Sequence, residues 1–236
     1  MKNVSLHYIK PICYGFNRQK FEKLVKKLKS FHVVDFSELG IENHPIITDE
    51  YLALITHAKK QSEINCYVFN RPLEDNWFVR RTDFNGLRDG HDIRLALTTF
   101  EVSDIAQMYG YSAEKLLASI FLIACITSEY LQYGGNYYEL YSNTLEDSAF
   151  NLCENKTDVI EAINSQKLGK RVELLFETIG IPESRISEFD ADIKRFRETL
   201  IEKLLRYNQK HQVLLSLFIN IIVATLFFIL GQYKSK

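Results

Sequence analysis

Apolar and polar positions along the chain divide it into a mixed body and a long apolar end. Short runs rich in β-branched and aromatic residues predict strands at 4–9, 31–36 and 64–69, an extended segment at 77–81 and a further strand at 93–100. Spacings of three and four predict helices at 18–30 and 51–60 between them, and at 113–131, near 158–164 and at 170–178 beyond them. Strands interleaved with helices in this order predict an α/β fold, a mixed sheet with packed helices. The run LLASIFLIACI at 116–126 is too short to cross a bilayer and reads as a buried helix, with a re-entrant segment as the alternative.

Residues 213–230 read VLLSLFINIIVATLFFIL, 18 positions without a charge. At about 1.5 Å per residue they make about 27 Å of helix, close to the thickness of a bilayer's hydrocarbon core. Lys210 and His211 precede the run, and Tyr233, Lys234 and Lys236 follow it, as suits the headgroup region. It reads as one transmembrane helix; the alternative is a buried core helix. Lys194, Arg195, Arg197, Lys203, Arg206 and Lys210 outnumber the two lysines beyond the run, so the large N-terminal part is expected in the cytoplasm. Residues 1–4 lead into no long apolar stretch, so no signal peptide is expected. The expectation is a single-pass, tail-anchored protein of the inner (cytoplasmic) membrane.

Pro182, Glu183 and Ser184 suit a helix start, and Ile186, Phe189, Ile193, Phe196 and Leu200 then follow a coiled-coil rhythm, stepping on to Leu204. The chain therefore divides into an α/β sensor or partner-binding domain (1–180), an amphipathic stalk helix (181–211), and a transmembrane helix with a short tail (212–236). Stalk and span could form one helix of about 48 residues, roughly 70 Å long. The alternative is that the stalk's apolar face packs on the protein's own body. Ser216, Asn220 and Ala224 recur every four residues and share one helix face, where small and polar side chains let helices approach and bond. A homo-oligomer is expected.

Composition narrows the function classes. With 29 Lys+Arg against 30 Asp+Glu in 236 residues, bulk charge does not indicate a nucleic-acid binder. The four cysteines, Cys13, Cys66, Cys125 and Cys153, are scattered without CxxC pairs, which argues against a zinc ribbon or a disulfide scaffold. The phosphate-loop, dinucleotide, HExxH and GxSxG motifs are absent. His44, His57 and His91 have no ligand spacing, so neither a metal nor a cofactor is expected. A hydrolase built on Cys66 or Cys153 would need an imidazole brought near by folding.

Three features suit recognition. The first helix carries Arg18, Lys20, Lys23, Lys26, Lys27 and Lys29, either a solvated face or a contact for anionic lipid or nucleic acid. Arg71, Arg80, Arg81, Arg88 and Arg94 surround Trp77, a candidate anion or nucleotide site. Ion pairs with Asp75, Asp83, Asp89 and Asp92 are the competing and preferred reading there. The turn from Tyr130 to Tyr138 sets phenols beside Gly134 and Gly135 and could line a pocket, meet a partner or cap the core.

Residues 148–163, SAFNLCENKTDVIEAI, resemble a segment of prokaryotic proteins akin to degenerate metallopeptidases, in which a CLFD-like tetrapeptide precedes an NKxDI-like motif. Asn155, Lys156, Asp158 and Ile160 match. The tetrapeptide here is SAFN, the flanking histidine is missing, and Gly169 and Val172 stand about where a CxxC pair would be. The resemblance implies an α/β scaffold that has lost its metal site. The layout as a whole is similar to membrane effectors of prokaryotic antiviral defence (abortive infection), in which a nucleotide messenger or a nucleic-acid-guided partner such as a short Argonaute triggers depolarisation. That similarity implies a non-enzymatic effector with membrane lipid, further copies of itself, and such a partner or nucleotide ligand as its contacts; direct nucleic-acid binding is not expected. A membrane-tethered hydrolase and a scaffold that only recruits a partner are the alternatives.

Overall fold

A computed structural model describes residues 2–10, 16–40, 44–55, 63–75, 77–83, 93–141, 148–151, 153, 155–165 and 167–196, followed by 202–204, 207, 211, 216, 219–223 and 225. Its sheet has five strands: β1 (Lys2–Ile9), β2 (Phe31–Leu39), β3 (Ile64–Phe69), β4 (Val79–Asp83) and β5 (Ile93–Thr98). Their order is β2-β1-β3-β5-β4, parallel except for β4, which runs antiparallel to β5 at the edge. β3 and β5 are buried at every position, as expected where a parallel sheet is covered on both faces.

Alternation gives the two faces different chemistry. Val4, Leu6 and Tyr8, with Cys66, Val68, Leu95 and Leu97, face the larger core. The opposite face carries Ile9, Tyr67, Phe69 and Ala96 against Tyr51, Leu52 and Ile55 of α2 (Asp49–Leu54) and its C-cap. It also buries a polar band of Ser5, His7, Asn65 and Arg94. His7 stacks on Tyr67 and hydrogen-bonds Ser37 Oγ (2.6 Å) and Asn65 Oδ1 (3.2 Å).

Over the larger core lie α1 (Arg18–Val25), α3 (Val102–Met108) and α4 (Ala113–Gln132). They are joined by α5 (Tyr137–Leu140), α6 (Asp158–Ser165), α7 (Lys170–Thr178) and α8 (Glu183–Arg195). α4 is the apolar run expected to be a buried helix, and it is buried along most of its length. Among the described residues no single helix is long and apolar enough to cross a membrane; α3 and α4 pass together but meet at 111°. α4 packs against α1, α3, α6, α8, β4 and β5, as a core helix does.

Its C-terminus explains the tyrosine-glycine turn. Gly134 takes a positive φ of 86°, and the N–H groups of Gly134 and Gly135 return to Leu131 O and Tyr130 O, a Schellman cap. A side chain at Gly135 would place its Cβ 2.3 Å from the Tyr130 ring. α7 ends the same way: Gly180 has φ 84°, with bonds from Gly180 N to Glu177 O and from Ile181 N to Phe176 O. Pro182 then starts α8.

That turn corrects two expectations. Gly180 to Pro182 is a tight connection inside one core, since Ile181 is buried and α7 packs on α8. The α/β body therefore continues through α8 instead of stopping at residue 180. Ile186, Phe189, Ile193 and Phe196, expected as a stalk seam, all lie buried in that core. Phe189 is fully buried, stacked on Phe31 and edge-on to Phe176. A heptad seam and an amphipathic core helix share the same three- and four-residue spacing, and here the body's own apolar surface takes the face. Phe196 leaves the helical ladder, bonding back to Ile193 O, so a single unbroken helix from Pro182 is not formed. Leu200 lies outside the described residues.

Polar contacts hold α8 in place. Asp192, fully buried, accepts hydrogen bonds from the N–H groups of Lys29 and Ser30 and from the Ser30 hydroxyl, at 2.6 to 3.0 Å. Arg185 pairs with Glu129 of α4 and lies over the rings of Phe31 and Phe189. Beyond α8, Lys115 at the start of α4 holds Glu202 at 2.6 Å.

Most of 213–230 lies outside the described residues, Ala224 among them. Ser216, residues 219–223 and Thr225 are helical and exposed. Ile219, Ile221, Ile222 and Val223 are 55, 62, 49 and 43% exposed, and Asn220 is exposed beside them. At about 100° per residue, five consecutive positions go right round a helix. All five of these side chains are exposed.

Candidate functional site

A cavity of about 380 Å³ opens between the edge of the sheet and the helices over the larger core. Residues 77 to 80, leading into and along β4, form one wall. α4 supplies Ile120, Ile123 and Ala124, one face at helical spacing, and α6 supplies Val159 and Ala162 in the same way. Tyr137 and Tyr141 come from α5 and its C-cap, with rings 4.7 Å apart, and Asn151 and Cys153 from the chain ahead of α6. An adjoining cavity of about 520 Å³ shares Arg80, Tyr137 and Tyr141 and adds Arg81, Thr127 and Leu131. Such volumes and apolar walls are those of small-molecule sites.

Two polar groups inside differ in how they are satisfied. Tyr141 Oη hydrogen-bonds Thr127 Oγ1 at 2.7 Å, and burial raises its pKa. Asn151 Oδ1 is buried and, among the described residues, accepts no hydrogen bond. The Cys153 thiol donates to the Asn151 backbone carbonyl (3.5 Å). Burial, and then the nearby Asp158 carboxylate, pushes its pKa up to about 11, which leaves it a poor nucleophile at neutral pH. Burial also raises the phenol of Tyr137.

The arginines expected as an anion site do not converge. Arg80 meets Asp49 through two parallel bonds of 2.9 and 2.6 Å, holds Asp75 at 2.6 Å and reaches Glu74 at 3.5 Å. Three carboxylates around one guanidinium leave the mouth of the cavity acidic and Arg80 committed. Arg94 lies on the opposite face of the sheet, buried, donating to Leu52 O (3.2 Å) and Ile55 O (2.6 Å). One step of strand alternation separates it from Leu95, and that step carries it away from Trp77. Arg88 lies outside the described residues. Trp77, Arg80 and Arg81 do line the two cavities, as does Tyr137 of the tyrosine turn. Ile123 lies in the run expected as a buried helix, and Asn151 and Val159 in the match around 148–163, but neither signal placed them at a cavity.

Among the described residues, Cys66 and His7 stand on opposite faces of the sheet and so do not make the thiol-imidazole pair a hydrolase would need. Cys66 is buried in β3, where burial raises its pKa well above the ordinary value. His7 is engaged on the opposite face of the sheet, and His44 lies against Tyr51. His57 and His91 lie outside the described residues. Among the described residues no group of three or more His, Cys, Asp and Glu could hold a metal ion.

The basic face of α1 is partly absorbed by its neighbours. Arg18 pairs with Glu22 and Glu38, and Lys20 with Glu114, while Lys26 lies over the Phe36 ring. Lys23, Lys26, Lys27 and Lys29 keep exposed side chains. Asp192 grips the backbone at Lys29, so these lysines stand close to the end of α8. No protein-family model, curated protein or solved structure matches the chain.

Proposed function

We propose that this chain is a membrane-anchored effector without catalytic activity, its α/β domain in the cytoplasm and its apolar run 213–230 spanning the inner membrane. A ligand or partner acts on the α/β domain, and the spans then associate through Ser216, Asn220 and Ala224 to perturb the membrane. The observation that carries this reading is the helix at 219–223, apolar at four of five positions and exposed on every side. Burying four such side chains in lipid is favourable by about 1.5–3 kcal/mol each, a gain that exposure to water forgoes. The exposed lysines of α1, beside the end of α8, suit an anionic leaflet next to the span.

α4 links the two halves of the mechanism. It lines the cavity with Ile120, Ile123 and Ala124, holds α8 through Glu129, and holds Glu202 through Lys115. A change in α4 on ligand binding therefore reaches the segment leading to the span. The layout resembles effectors of prokaryotic antiviral defence, where a nucleotide or a nucleic-acid-loaded partner such as a short Argonaute supplies the trigger; kinship with degenerate metallopeptidase-like scaffolds is proposed on the same footing. A recruiting scaffold is the second reading, favoured by the adjacent exposed tyrosines Tyr133, Tyr137 and Tyr138.

The test is induced expression with a membrane-potential dye, alongside crosslinking. The full chain should depolarise cells and crosslink to itself, and Asn220→Leu should lose both. Unchanged depolarisation in Asn220→Leu would overturn span association. A monomer under activating conditions would favour the scaffold.

A further inference from the structure

We infer that the cavity between β4, α4 and α6 binds a nucleobase or nucleoside without its phosphates, held by Asn151. The inference deepens the proposal above by naming the ligand class, and it stands on four observations.

The first is Asn151, which lines the cavity and whose buried Oδ1 accepts no hydrogen bond among the described residues. A buried acceptor left unpaired is costly, and a ligand N–H would satisfy it. The second is the aromatic content of the walls. Trp77, Tyr137 and Tyr141 bring one indole and two phenols to a single space that Ile120, Ile123 and Val159 also line. Flat heterocycles stack on such rings whatever their sequence context.

The third is charge. Asp75 stands at the cavity, and Asp49 and Glu74 stand with it around Arg80, so the charge of Arg80 is already neutralised. A di- or triphosphate would meet net negative charge, whereas an uncharged base would not. The fourth is size. About 380 Å³ lies at the lower end of the range for small-molecule sites, enough for a base and sugar. An amino-bearing base fits all four: ring faces for the aromatic walls, an N–H for Asn151, and no formal charge.

Trp77 is the sole tryptophan of the chain, so its emission reports this site alone. The experiment titrates the full chain in detergent micelles with adenosine, guanosine and cytidine, and with the mono- and triphosphate of each, following Trp77 fluorescence. At least one of the nucleosides should give a saturable change, with its mono- and triphosphate binding at least about tenfold weaker. Asn151→Leu should weaken that nucleoside about tenfold, the loss of one buried hydrogen bond. Ser103→Ala, on α3 and outside the cavity, should leave it unchanged. Where Asn151→Leu does not fold, Val159→Phe fills the cavity from α6 and should abolish binding. No saturable change with any nucleoside, tighter binding of the phosphorylated forms, or full affinity in the Asn151 and Val159 variants would each overturn the inference. Binding in micelles is independent of span association, so this result and the depolarisation result can fail separately.

Discussion

Arg185 and Glu129 meet through two parallel bonds, Nε to Oε1 at 2.8 Å and Nη2 to Oε2 at 2.7 Å, tying α8 to the core helix α4. Glu129 is 3% and Arg185 11% exposed at the side chain. Removing one partner of such a pair strands a buried charge, whereas replacing both with apolar groups is often neutral. Arg185→Met should therefore cost about 3–5 kcal/mol of domain stability. Adding Glu129→Leu should recover most of that loss. Thermal unfolding of the full chain in mild detergent, followed by circular dichroism, checks both; equal losses in the single and double variants would contradict the pairing.

Phe189 distinguishes a core helix from an associating stalk. It is fully buried between Phe31 and Phe176. Phe189→Ala should destabilise the domain by about 3–5 kcal/mol. Under conditions where the domain stays folded, crosslinking between copies should be unchanged. A variant of undiminished stability with lost self-association would restore the stalk reading.

Acid stability should depend on Glu114. Burial opposes its ionisation, but the Ser112 hydroxyl, the Asn17 N–H and the Lys20 ammonium outweigh that and hold its pKa below the ordinary 4.5. A carboxylate depressed on folding stabilises the fold above its unfolded pKa, and that contribution is lost as pH falls through the folded value. Stability between pH 7 and about 5 should thus be flat in this group's contribution and fall below about 4.5. Glu114→Gln should flatten that acid limb. An acid limb of the same slope in the variant would show that other groups control it.

Cys153 should alkylate slowly near neutral pH and faster as pH rises toward about 11, where its thiolate forms. Its raised pKa also means that the folded state favours the thiol, so its contribution to stability is lost as pH rises from 9 toward 11. Peptide mapping by mass spectrometry resolves it from Cys66 and Cys125, which are buried and should react only on unfolding. Ready labelling of Cys153 at pH 7 would contradict its environment.

Local signals in the sequence located elements better than they located faces. β3 and α7 fall at their expected positions because clear boundaries flank them. α1 stops at Val25, short of Ser30, and α2 ends at Leu54 with an extended C-cap at Ile55. α3 went unread: it is seven residues long and opens at Glu101 with a positive φ of 61° and no side-chain cap. Trp77, Arg80, Tyr137 and Cys153 were each notable by type, and the fold brings them to one cavity. Their joining depends on contacts across distant segments that periodicity does not encode. The grip of Asp192 on Ser30 spans 162 positions and has no local signature. The same lack of tertiary information made a core face at Ile186, Phe189, Ile193 and Phe196 look like a seam.

The helix at 219–223 leaves Ile219, Ile221, Ile222 and Val223 exposed. Separation of membranes from cytosol, followed by a carbonate wash, compares the full chain with one truncated before Val213. The full chain should stay with the membranes until detergent is added, and the truncated chain should move to the soluble fraction. A full-length chain recovered as a soluble particle, with those isoleucines shielded from solvent, would contradict the membrane assignment and the effector mechanism built on it.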